Sequence, residues 1–112
     1  MARLFSLVSF VFLSVATFGQ TSDLVVFSDD GTKFTLVVDG DVKNDQPATR
    51  VVATGIRTQT PVMVVKFEDA SIAPIKQNGY MEMGKEYTLM LTTNKKGVRV
   101  LRQSGEVALG TA

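Results

Sequence analysis

Three carboxylates come nearest to a chemical arrangement in this chain. Asp39, Asp41 and Asp45 alternate through one polar stretch, with Asn44 among them. Hard cations such as calcium want several oxygen ligands at such a spacing. The stretch does not satisfy the helix–loop–helix calcium template. Lys43 stands at its fifth position, Asn44 at the sixth where glycine is needed, and Arg50 at the twelfth where a bidentate glutamate is needed. What remains is a looser calcium site of the kind held between sandwich loops. The competing reading is a solvated turn whose Asp and Asn side chains serve the backbone. No cofactor other than calcium is expected.

Other chemistry is excluded by composition. The 112 residues contain no histidine and no cysteine. That removes the usual general base, the usual transition-metal ligands and any Ser-His-Asp or Cys-His arrangement. A serine three positions ahead of a lysine, the Ser-x-x-Lys pattern, is also absent. A nucleophile without a positioned base is inert, so the chain is read as non-enzymatic.

Two further groups could meet a partner. Ile72, Ile75, Tyr80 and Met81 crowd an otherwise irregular stretch that also holds Pro74 and Met83. Exposed together they would form an apolar binding patch; otherwise they close one end of a core. Lys95, Lys96, Arg99 and Arg102 make a basic cluster with no aromatic residue between them. A charged hairpin that discourages edge pairing explains it, and a nucleic-acid partner is not expected.

The elements that would carry these residues read as strands. Leu24–Phe27 is a β-branched and aromatic run. Ser28-Asp29-Asp30-Gly31 follows as turn chemistry, and Phe34, Leu36 and Val38 then alternate with polar neighbours. The pattern predicts a bulged antiparallel hairpin. Residues 40–48 read as a loop and 51–56 as a weak strand interrupted at Gly55. Residues 62–68 form a better strand, with Met63, Val65 and Phe67 on one face. Residues 69–84 are irregular. Residues 86–93 and 98–101 flank the turn Asn94-Lys95-Lys96-Gly97, and the adjacency of Val100 and Leu101 implies either a bulge there or a strand buried on both sides. Ser104-Gly105 marks the end of that hairpin, leaving 104–112 as a tail or last short strand. Helical periodicity is missing from this part. The expectation is an all-β, antiparallel sandwich or small barrel, with the immunoglobulin-like sandwich of six to seven strands preferred.

The first nineteen residues set the compartment. Arg3 is followed by an uncharged apolar run from Leu4 to Val15 and then by the small residues Ala16, Thr17 and Gly19. That is the layout of a secretory signal peptide, cut after Gly19 or after Ala16. It is too short for a bilayer span, and no second apolar stretch supplies a transmembrane anchor. The domain expected is 20–103, exported to a periplasm, cell surface or medium. With Arg3 gone, 11 basic residues balance 11 acidic ones, so no global field draws in polyanions. The product is expected to be a monomer, with an exposed edge strand available for pairing. Its partner would be a protein or another envelope component.

The succession LVVFSDDGTKFTLVVDG, NDQPATRV, VVKFED and NKKGVRVLR resembles small exported domains of uncharacterised Bacteroidetes proteins. In many of those a β-sandwich region precedes a helical domain of unknown function. The similarity spans Leu24 to Arg102 and rests on structural motifs, so it transfers no catalytic residue. It implies an envelope setting. Taken with the composition, it points to a non-enzymatic module that binds or scaffolds a partner there, with a calcium-stabilised adhesive module as the alternative.

Overall fold

The computed structural model describes residues 20–108. The signal peptide expected at 1–19 and the last four residues lie outside that range. Eight strands follow one another: β1 (Ser22–Ser28), β2 (Phe34–Val38), β3 (Asp41–Val42), β4 (Arg50–Ile56), β5 (Val62–Phe67), β6 (Ile75–Asn78), β7 (Lys85–Thr93) and β8 (Arg99–Ala108). They form two four-stranded sheets, β4-β1-β7-β8 and β3-β2-β5-β6. The all-β expectation holds, and the arrangement is that of a small β-sandwich. The count exceeds six to seven because β3 and β6 are short strands inside segments that read as loop and irregular chain.

The core lies between the sheets and follows the period-two pattern of half-buried strands. Leu24 and Val26 of β1 and Leu89 and Leu91 of β7 face Phe34, Leu36 and Val38 of β2 and Met63, Val65 and Phe67 of β5. Each such side chain contributes roughly 1.5–3 kcal/mol on full burial. With no cysteine to cross-link the chain, this interior carries the stability.

The first hairpin is corrected. β1 and β2 lie in different sheets and do not pair. β1 is central: β4 occupies one of its edges and β7 the other. Both strands have an apolar inner face, and two such faces bury each other more fully across a sandwich than side by side. The Asp-Asp-Gly turn therefore bends the chain from one layer into the other. The partner that β1 takes instead is parallel: Asp23 to Ser28 run alongside Glu86 to Leu91.

Two bulges tune the facing of side chains. In β4 the register slips opposite Asp23, and Gly55 takes a left-handed φ of 69° that glycine adopts without strain. The extra residue lets Val51, Ala53 and Ile56 all point inward despite uneven spacing. In the β7–β8 ribbon the slip falls at Ser104, between Gln103 opposite Leu89 and Gly105 opposite Thr88. It is not at Val100 and Leu101, which keep regular register. Ser104 and Gly105 consequently continue the strand to Ala108 rather than ending it.

Segment 41–48 is an improvised edge strand. Lys43 N–H donates to Leu36 O at 2.8 Å, and Ala48 exchanges two backbone bonds with Phe34. Between them the Asn44 side chain takes the place of backbone. Its Oδ1 accepts from Leu36 N at 2.9 Å, and its Nδ2 donates to Phe34 O at 3.0 Å and Gln46 O at 2.7 Å. An otherwise open length of β2 is thereby satisfied.

Candidate functional site

The carboxylate trio does not assemble. Asp39 takes a left-handed φ of 49° at the β2–β3 turn. Its Oδ1 accepts from Val62 N at 2.9 Å, and its own N–H donates to Val62 O. Asp41 pairs in β3 with Val38, and Asp45 lies exposed beyond Asn44. Among the described residues no group of three or more Asp, Glu, His or Cys is placed to hold a metal ion. Asp39 works as a turn residue, locking the β2–β3 corner to the start of β5.

The proposed apolar patch is also dispersed. Met81 is 3% exposed and belongs to the core, while Ile72 and Ile75 are half-buried against it. Only Tyr80 stands out, at 66% exposure. Met81 turns inward because its N–H donates to Gln59 O at 2.7 Å and that of Gly79 to Pro61 O at 2.9 Å. These bonds run the 79–81 segment alongside 59–61, so alternate side chains face in and out. Tyr80 therefore projects into solvent from a backbone pinned on both sides.

The segment after it is held as firmly. Glu82 N–H donates to the Tyr87 hydroxyl at 2.9 Å, and Ser22 Oγ donates to Glu82 O at 2.8 Å. The buried tyrosine whose hydroxyl meets backbone is Tyr87. At the surface Lys85 pairs with Glu82 at 2.9 Å and reaches Glu106 at 3.8 Å. The Glu82 contact, more than the neighbouring charges, holds the Lys85 amine above the ordinary lysine range.

Beside Tyr80 the sandwich opens. β6 and β8 are the edge strands at one side of the two layers, and the space between them is a cleft of about 290 Å³. Leu24, Met63, Met81 and Leu89 floor it; Gln77, Asn78, Tyr80 and Gln103 rim it. Its size is near the lower end of the ~300–1,000 Å³ usual for small-ligand sites. Gly79 lies against the floor so closely that a Cβ there would sit 2.9 Å from Met63 Cε.

Of the residues lining the cleft, the sequence signalled Tyr80 and Met81. Gln77 and Gln103 sit in different strands and different sheets, and neither spacing nor type marks them. Their meeting follows from the pairing of the β1–β7–β8 layer with the β2–β5–β6 layer. The Asn78-Gly79 pair, a hairpin signal by type, instead ends β6 and lets the chain approach Met63.

The basic cluster divides. Arg99 is spent on structure: it pairs with Asp30 at 2.9 Å, donates to the Thr32 hydroxyl, and lies 5.8 Å from the centroid of the Phe67 ring. Lys95, Lys96 and Arg102 surround a shallow depression at the β7–β8 turn, with Asn94 Oδ1 accepting from the N–H groups of Lys96 and Val98.

No helix among the described residues is long and apolar enough to cross a membrane. No family model, no curated protein and no solved structure matches this chain.

Proposed function

We propose that this protein is a non-enzymatic β-sandwich binding module exported to the bacterial cell envelope, and that it recognises its ligand through the cleft between β6 and β8. The observation that carries the reading is the join, at one place, of an apolar floor and a polar mouth. Leu24, Met63 and Leu89 come from the core, and Gln77, Asn78 and Gln103 rim them. Ligand sites combine these two features: apolar contact for affinity and a few fixed polar groups for orientation.

The leader-like start and the likeness to exported Bacteroidetes domains support an envelope setting. The immunoglobulin-like comparison is proposed for the two-layer arrangement alone. Strand order β4-β1-β7-β8 over β3-β2-β5-β6 differs from the ABED and CFG sheets of that fold.

The test is a fragment screen with uncharged small molecules, followed through the backbone and side-chain amide signals of the isotope-labelled protein. Shifts concentrated at Gln77, Asn78, Gly79 and Gln103 support the assignment. An absence of hits there, or hits confined to the β3–β4 side, retires it. N-terminal sequencing of the product recovered from its host reads the export step, with Gln20 as the expected first residue.

A further inference from the structure

The chemistry of the cleft mouth is narrower than that of a generic pocket. None of the residues lining it carries a charge. Three of the rim residues are primary carboxamides, and the fourth is the exposed ring of Tyr80. Two other carboxamides of the chain show the alternative use. Asn44 and Asn94 spend their side chains on backbone groups. Among the described residues, the Gln77, Asn78 and Gln103 side chains make no such bond. Each offers one acceptor and two donors in a fixed plane.

An exposed aromatic face beside uncommitted amides, in a neutral setting, matches one class of ligand. The C–H face of a pyranose ring packs on an aromatic ring, and its vicinal hydroxyls each donate and accept, as a carboxamide does. Phosphate, carboxylate or ammonium ligands would call for a counter-charge that the mouth lacks. Tyr80 is also pre-positioned. The flanking N–H groups of Gly79 and Met81 are bonded to Pro61 and Gln59, and the Met81 side chain is anchored in the core. A rigid aromatic loses little entropy on binding.

We propose that the cleft between β6 and β8 is a binding site for a neutral saccharide. Tyr80 is its stacking platform, and Gln77, Asn78 and Gln103 are its hydroxyl-reading groups. The proposal rests on the cleft being the recognition site and adds the ligand class.

The probes are neutral oligosaccharides of β-glucan, α-glucan, mannan, xylan and N-acetylglucosamine. Oligogalacturonate serves as the charged control, and a pool of uncharged hexapeptides as the non-sugar arm. The chain has no tryptophan and two tyrosines, both of which line the cleft. The part of the tyrosine emission change that disappears in Tyr80→Phe, where only Tyr87 still emits as tyrosine, therefore reports on stacking. Side-chain amide signals of the three carboxamides provide a second readout. The expected result is that at least one neutral oligosaccharide changes both signals while oligogalacturonate changes neither. Tyr80→Phe should retain that binding, and Tyr80→Ala should weaken it by about tenfold with the melting temperature unchanged.

If no neutral oligosaccharide moves either signal at millimolar concentration, the saccharide proposal is overturned. Should hexapeptides then move the Gln103 and Asn78 signals, the cleft stands as a recognition site for another ligand. If neither class does, both readings fall together. Binding that survives Tyr80→Ala undiminished also overturns the stacking role.

Discussion

Arg99 and Asp30 lie sixty-nine positions apart and meet at 2.9 Å. Asp30 belongs to the connection between β1 and β2, and Arg99 opens β8. The contact therefore ties the crossing from one sheet to the other onto the last strand. Asp30 Oδ1 also accepts from the Thr32 backbone at 3.1 Å and the Thr32 hydroxyl at 2.7 Å. Arg99→Met is expected to lower the melting temperature more than Lys95→Met or Lys96→Met, which lose no such network. The share from the guanidinium over Phe67 is about 0.5–1 kcal/mol. A double-mutant cycle with Asp30→Asn measures the rest; additive effects would show that the pair is not coupled.

The same network predicts an acid limb. The Thr32 hydrogen bonds first, and Arg99 secondarily, hold the Asp30 carboxyl below the ordinary range; the Ser71 hydroxyl and N–H do so for Asp69. A carboxyl depressed in the folded state stabilises above its unfolded value near 3.8, and that contribution is lost as pH falls through the folded value. The melting temperature should decline below the carboxylate range, and Asp30→Asn with Asp69→Asn should flatten that decline. For Lys85 the sign reverses. Its raised value adds stability below the ordinary lysine value of 10.5, lost as pH rises through the folded value. An acid limb of unchanged slope in the double variant counts against this origin.

Much of the fold was legible from period-two alternation. Phe34, Leu36 and Val38, then Met63, Val65 and Phe67, then Tyr87, Leu89 and Leu91 all face the core as their spacing requires. Alternation reports which face of a strand is apolar, but not which strand lies beside it. That is why β1 and β2 read as a hairpin although they belong to opposite layers. The cleft was less visible still. Met81 and Tyr80 are both large and apolar by type, and only the backbone bonds to Gln59 and Pro61 decide which one turns inward. The carboxylates misled for a related reason. Asp39 and Asn44 are where turn and edge construction needs a side-chain acceptor, and the same residue types serve cations.

The division between Tyr80 and Met81 is open to a direct test. Met81→Ala removes a buried side chain and should cost about 2–5 kcal/mol, read from denaturant midpoints. Tyr80→Ala should change stability by less than about 0.5 kcal/mol. Equal losses from the two variants would mean that Tyr80 is packed rather than presented.

Tyr87→Phe keeps the ring in the core and leaves Glu82 N–H without its 2.9 Å acceptor. A loss of roughly 0.5–1.5 kcal/mol is expected. Amide exchange should quicken at Glu82 and its neighbours while the core of β2 and β5 keeps its protection. Uniform loss of protection would place the effect in global stability instead.

Gly79 sets the depth of the cleft. Its φ lies outside the left-handed region, so alanine suits the backbone, but the new Cβ would lie 2.9 Å from Met63 Cε. That carbon is the far end of a flexible side chain and can swing aside. The space open to it is the cleft that Met63 already floors. Gly79→Ala should therefore cost only roughly 1 kcal/mol in stability while narrowing the site and weakening ligand binding. Met63→Ala in the same chain should lower stability further, because it empties a core position, yet it should restore the room and with it part of the binding. Stability and binding then move in opposite directions between the single and the double variant. A defect in folding alone cannot produce that pattern. If binding falls with stability in both, Gly79 matters for the fold and not for the shape of the site.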